Sequence, residues 1–198
     1  MWLRMLFISL LVYSGCLSAA DYRIERVKEN VYRFSAGHYH SVFMVTQSGV
    51  FVTDPINPKA ASYNGRGSVS MRFMPANVLY VVDWIVIGRM PYKDLPGYDI
   101  HGMIHSTQEI LRQPAFDVFV GGHAEMGTRH DVQRYLNYLQ DLYLAVVEGM
   151  LDGKSLAELQ AEIKLDDYRD LVMYEEWLPL NIKGVHDTLL AMSYFDRR

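Results

Sequence analysis

A layered α/β architecture, with helices packed outside sheets, is what the order of patterns along this sequence predicts. Short β-branched and aromatic runs come first, strand-like and helix-like patterns then mix, and a long stretch of helical spacing follows between residues 129 and 151. The 198 residues suit a single domain. Half of them are hydrophobic and only 21% are charged, which provides material for a core and excludes a disordered chain. The net charge of -4 lacks the basic footprint that phosphate neutralisation requires, so nucleic acid is not an expected partner. A single Cys excludes a disulfide scaffold and a cysteine-based zinc cluster.

Residues 1–20 carry Arg4 near the start, an apolar run from Met5 to about Val12, and small residues at Ser18, Ala19 and Ala20 before Asp21. That is the layout of a secretory signal peptide, and it predicts an exported protein, periplasmic or secreted, whose mature domain covers 21–198. The apolar run falls short of the ~20 residues that span a bilayer, so no transmembrane span is expected after cleavage. Cleavage would also remove the lone Cys16, which suits release into an oxidising compartment. Ser14-Gly15-Cys16 resembles a bacterial lipoprotein cleavage site, with Tyr13 where an apolar residue is usual.

In the mature chain, Tyr22 to Val27, Val31 to Ala36, Ser41 to Thr46 and Gly49 to Asp54 read as consecutive antiparallel strands. Glu29-Asn30, Gly37 and Gln47-Ser48-Gly49 supply the turns between them. Pro55 to Gly67 has no periodicity and reads as a loop. Ser68 to Phe73 alternates, and Val78 to Val82 is a continuous apolar run, as in a strand buried on both faces. Ser106-Thr107-Gln108-Glu109 has the capping-box pattern and predicts a short helix opening there and closing before Pro114. Asp117 to Val120 then forms a strand running into Gly121-Gly122-His123. From Arg129 to Leu151 the apolar positions fall at helical spacing. Ser155 with Glu158 caps a further helix, and Val185, Leu189 and Met192 predict a last one.

Two metal-capable side chains stand where a rigid scaffold can aim them. Asp83 follows directly on an apolar strand, a place where carboxylates either carry function or cap the next turn. His123 follows two glycines, which permit close backbone approach, and a loop imidazole there serves either as a zinc ligand or as a partner to its neighbours. His38 with His40, and His101 with His105, have spacings compatible with metal, as well as with turn or cleft histidines. Trp84, Met90 and Tyr92 line either a cleft or the core, and Glu175-Glu176 reads as solvated surface.

Over nearly all of its mature length the chain resembles a metallo-β-lactamase-fold hydrolase. One block that carries the resemblance is Asn30-Val31-Tyr32, Ser41-Val42-Phe43-Met44-Val45-Thr46 and Gly49-Val50-Phe51-Val52-Thr53-Asp54-Pro55. The other is Val78-Leu79-Tyr80-Val81-Val82-Asp83, then Arg89-Met90-Pro91-Tyr92, then Val118-Phe119-Val120-Gly121-Gly122-His123. The resemblance implies Asp83 bridging two zinc ions and His123 as a late ligand of the same site, with zinc-activated water attacking an ester, amide or thioester of a small-molecule substrate. The family's His-x-His-x-Asp-His loop is missing, and Tyr63-Asn64-Gly65-Arg66-Gly67-Ser68 lacks the histidine expected near Ser68. The sequence therefore reads as an incomplete αββα sandwich with an α-helical C-terminal part, internally shortened near 58–68. Zinc-dependent hydrolysis is expected to be impaired, because a catalytic zinc takes about three protein ligands and Asp83 and His123 supply two. The alternative is a non-catalytic exported binding remnant that self-associates through uncovered apolar surface.

Overall fold

The computed structural model describes residues 22–47, 49–53 and 70–195. The signal peptide read at 1–20, the Asp54-Pro55 step and the shortening placed near 58–68 lie outside the described residues. What is described is mixed α/β, with two small sheets and four helices.

The first sheet is an antiparallel meander of β1 (Tyr22–Lys28), β2 (Val31–Ala36), β3 (Tyr39–Thr46) and β4 (Gly49–Val52), in that order. Gly37, at φ 60°, supplies the positive backbone angle that lets β2 turn back into β3 through two residues. Strict alternation puts Val31, Arg33 and Ser35 on a buried face of β2 and leaves Tyr32 and Phe34 on the other. β3 begins at Tyr39, two residues earlier than the pattern predicts, because the turn is shorter than Gly37 alone suggested.

The second sheet contains β5 (Ser70–Phe73), β6 (Val78–Val81) and β7 (Val118–Gly121), with β5 antiparallel and β7 parallel to β6. β6 is buried at all four positions, as its unbroken apolar run predicts. Its alternation divides two cores. Val78 and Tyr80 join Val31, Val42, Phe73 and Val120 between the sheets, while Leu79 and Val81 join Phe119 against the helices. The layers therefore run first sheet, second sheet, helices. Two hydrogen bonds tie the sheets at one end, His40 N–H to the Gly122 carbonyl at 2.8 Å and the Tyr80 hydroxyl to the His40 carbonyl at 3.0 Å.

The parallel β6–β7 pair requires a crossover, and the chain makes it through loop 82–99 and helix α1 (Ile100–Arg112). This corrects the sequence reading, which opened a helix at Ser106. The N-cap is Asp99, whose carboxylate accepts from the backbone N–H groups of His101 at 2.9 Å and Gly102 at 3.0 Å. Thr107 lies within the helix, fully buried, its hydroxyl donating to the Met103 carbonyl at 2.7 Å. Helix α2 (Arg129–Leu151) matches the predicted span, capped by Thr128 and Asp131, and α3 (Leu156–Glu162) carries the predicted Ser155–Glu158 capping box. Helix α4 (Tyr174–Phe195) starts well before the predicted Val185 and runs through Pro179. Proline removes one helical hydrogen bond, and burial of Leu178 and Ile182 on either side offsets that loss.

Candidate functional site

Asp83 and His123 leave the same edge of the second sheet, because β6 and β7 are parallel neighbours with Val81 opposite Gly121. Two short loops therefore deliver both side chains to one place. Gly122 makes the approach possible, since a Cβ there would sit 2.1 Å from the Val82 carbonyl oxygen. Its N–H donates to that carbonyl at 2.8 Å. The result is a 3.2 Å contact between His123 Nε2 and Asp83 Oδ1, with both side chains about one quarter exposed.

The second ring nitrogen of His123 lies 3.1 Å from the His38 carbonyl oxygen. Both nitrogens thus face acceptors, an arrangement that only the doubly protonated ring satisfies. The hydrogen bond to Asp83 accordingly lifts the His123 pKa above its ordinary value, against the opposing effect of burial. His40 behaves oppositely: burial, then the charges of Arg33 and His123, hold its pKa below the ordinary value. Its Nδ1 sits 2.9 Å from Ser35 Oγ, its cross-strand neighbour.

These groups line an open groove of about 1640 Å³ between the inner face of the β2–β3 hairpin, loop 82–99 and the start of α4. Trp84, Tyr92 and Trp177 contribute aromatic surface, and the Arg89 guanidinium stacks over Trp177 at 5.3 Å from the ring centre. Buried hydrogen bonds brace this wall. The Tyr135 hydroxyl donates to the Trp84 carbonyl at 2.6 Å, and Asn181 accepts from the Tyr138 hydroxyl at 2.7 Å while donating to the Pro91 carbonyl at 3.0 Å. Of the aromatic and Met candidates, Trp84 and Tyr92 line the groove, and Met90 is fully buried core.

The two predicted site residues are brought together, and neither histidine pair is joined by a third ligand among the described residues. His38 falls in the hairpin turn and its carbonyl meets the His123 ring, while the His40 ring meets Ser35. His101 and His105 do share a face of α1, but the His101 ring packs on Tyr143 at 4.9 Å, and neither lines the groove. Glu175 and Glu176 are exposed in the first turn of α4, as read. Among the described residues no group of three His, Cys, Asp or Glu side chains is placed to hold a metal. A resident catalytic zinc needs about three protein ligands and a water, so the donor set on the described residues does not fit one.

Arg33 was missed in the sequence. Its side chain is 9% exposed, and Nη2 donates to Glu25 Oε2 at 3.2 Å, while Nε and Nη1 are buried with no hydrogen-bond partner. The signal was available: in the alternation of β2 a charge occupies an inward position between Val31 and Ser35. Leaving a buried donor unsatisfied costs about 1–3 kcal/mol, so the position carries a local cost in stability.

No family model matches the chain, and no curated protein matches it. Among the described residues no helix is long and apolar enough to cross a membrane.

Proposed function

We propose that this is an exported protein, periplasmic or secreted, of metallo-β-lactamase-like descent, which uses its groove to bind a small molecule without zinc-dependent hydrolysis. Descent is supported by the two sequence blocks quoted above. Export is supported by the pattern of residues 1–20.

The observation that carries the binding reading is the donor set. Asp83 and His123 meet at 3.2 Å on the wall of a large groove, and no third donor joins them among the described residues. An imidazole already bonded at both nitrogens must lose a proton before it can ligate a metal.

Hydrolysis is the second reading, and one observation favours it. Two ligands of a single tetrahedral zinc, each ~2.0–2.1 Å from the metal, stand about 3.3 Å apart, close to the spacing of this pair. Zinc content of the purified full chain, beside an Asp83→Ala/His123→Ala variant, separates the two. The expected result is no stoichiometric zinc in either and no metal-dependent turnover of an ester and lactam panel. Stoichiometric zinc in the parent that the variant loses would overturn the binding reading and restore the hydrolase.

Self-association belongs to the same proposal. Ile24 and Phe34 pair across β1 and β2, and Tyr32 stacks on Phe43 at 5.1 Å, all on the face of the first sheet opposite Arg33. Ile24, Tyr32, Phe43 and Val45 belong to neither core among the described residues, and Ile24 is 63% exposed. Apolar side chains grouped on a sheet face suit contact with a second copy.

A further inference from the structure

We propose that the hairpin end of the groove is an oxyanion site centred on Arg33, so that the ligand is a small molecule carrying a carboxylate or phosphate. The inference rests on the groove being a binding site and names the chemistry it selects.

Three groove-lining residues hold buried N–H groups that find no acceptor: Arg33 at Nε and Nη1, Trp84 at Nε1 and Arg89 at Nε. Every one of these atoms is a donor. These atoms have no exposed area, so a ligand that brings acceptors meets them as the side chains of the wall adjust, and two of the three residues also carry positive charge.

The charges nearby make the same demand. Glu25 Oε2 is shared between Arg33 at 3.2 Å and Arg23 at 3.4 Å, so one carboxylate faces two guanidinium groups. Asp83 is paired with His123, and Glu125 also lines the groove. Arg89 forms its ring contact with Trp177 and no ion pair among those recorded for the described residues. The hairpin end of the groove thus sets two guanidinium groups against one carboxylate, on a chain whose net charge is -4. Charge-assisted hydrogen bonds to a carboxylate or phosphate are the strong interactions available to such an end, and the Trp84, Tyr92 and Trp177 surface accommodates an apolar body.

The test is titration of the isotope-labelled full chain with inorganic phosphate, benzoate and benzamide, the last having the ring of benzoate without its charge. Saturable binding of benzoate or phosphate, a shift of the Arg33 Nε–H resonance on binding, and no saturation by benzamide are the expected results. Saturation by benzoate alone assigns the site to carboxylates and saturation by phosphate alone to phosphates. Arg33→Gln is expected to weaken binding about tenfold or more. The Arg33 resonance of the parent gives the decision even if that variant fails to fold. Benzamide binding as tightly as benzoate, an unmoved Arg33 resonance, or no saturable binding of either anion would overturn the inference. The first of these outcomes leaves the groove a binding site, and zinc content judges that reading independently.

Discussion

At the residue scale, Gly122 concentrates several functions in a residue with no side chain. Its carbonyl accepts from His40 of the first sheet, its N–H closes on Val82, and its position sets where His123 emerges. Gly122→Ala would drive a methyl into the Val82 carbonyl, backbone that has no rotamer to yield. The expected outcome is a loss of about 1–3 kcal/mol in stability, read from denaturant unfolding, together with a changed environment of the His123 ring by NMR. An unchanged midpoint would show that the loop relaxes freely. Arg33 stands at the other extreme: two of its buried donors have no partner among the described residues, a local cost to the fold.

At the scale of elements, Arg134 ties α2 to the turn after the 3₁₀ segment Asp166–Tyr168 through paired bonds to Asp170, at 2.9 and 2.6 Å. The guanidinium holds the Asp170 carboxyl below its ordinary pKa. The folded protein therefore binds this proton less readily than the unfolded chain. The contribution is present above the unfolded value of about 4 and drains away as pH falls through the lower folded value. Because the pair is largely exposed, its weight is about 0.2–1 kcal/mol. Asp170→Asn should differ from the parent by that amount near neutrality, and the two acid-unfolding curves should converge below about pH 4.

Elements were also where the sequence could be read most directly. Helix α2 and the β6 run were legible because long periodicity and an unbroken apolar stretch leave few alternatives. The start of α1 was not, since Ser106-Thr107-Gln108-Glu109 carries a cap signature inside a helix that Asp99 had already opened. Local pattern cannot show that the Thr107 hydroxyl finds its acceptor one turn back. In the site, Asp83 and His123 were visible from their places after strands. Their mutual contact depends on parallel pairing of segments forty residues apart, which no local signal encodes.

For the whole molecule, layering decides what is covered. Among the described residues, the second sheet is enclosed by the first sheet and the helices, whereas the first sheet contributes one face to a core. Ile24 and Val45, 63% and 41% exposed, lie on its other face. Self-association through that face predicts a concentration-dependent sedimentation coefficient for the parent. An Ile24→Asp/Val45→Asp variant should sediment as a single smaller species at all concentrations, and identical profiles for both chains would remove this face from the contact.

The parallel pairing of β6 with β7 also separates two kinds of motion. Asp83 and His123 ride on adjacent strands of one sheet, so they travel together, while the opposite wall of the groove belongs to the hairpin of the other sheet. Loosening the hairpin at its His40–Gly122 and Tyr80–His40 bonds would open the groove like a hinged cover and leave the acid–imidazole pair intact. The amide of His40 would then exchange with solvent through a smaller opening than the amides inside β7, and ligand access would follow the hairpin's clock rather than that of global unfolding.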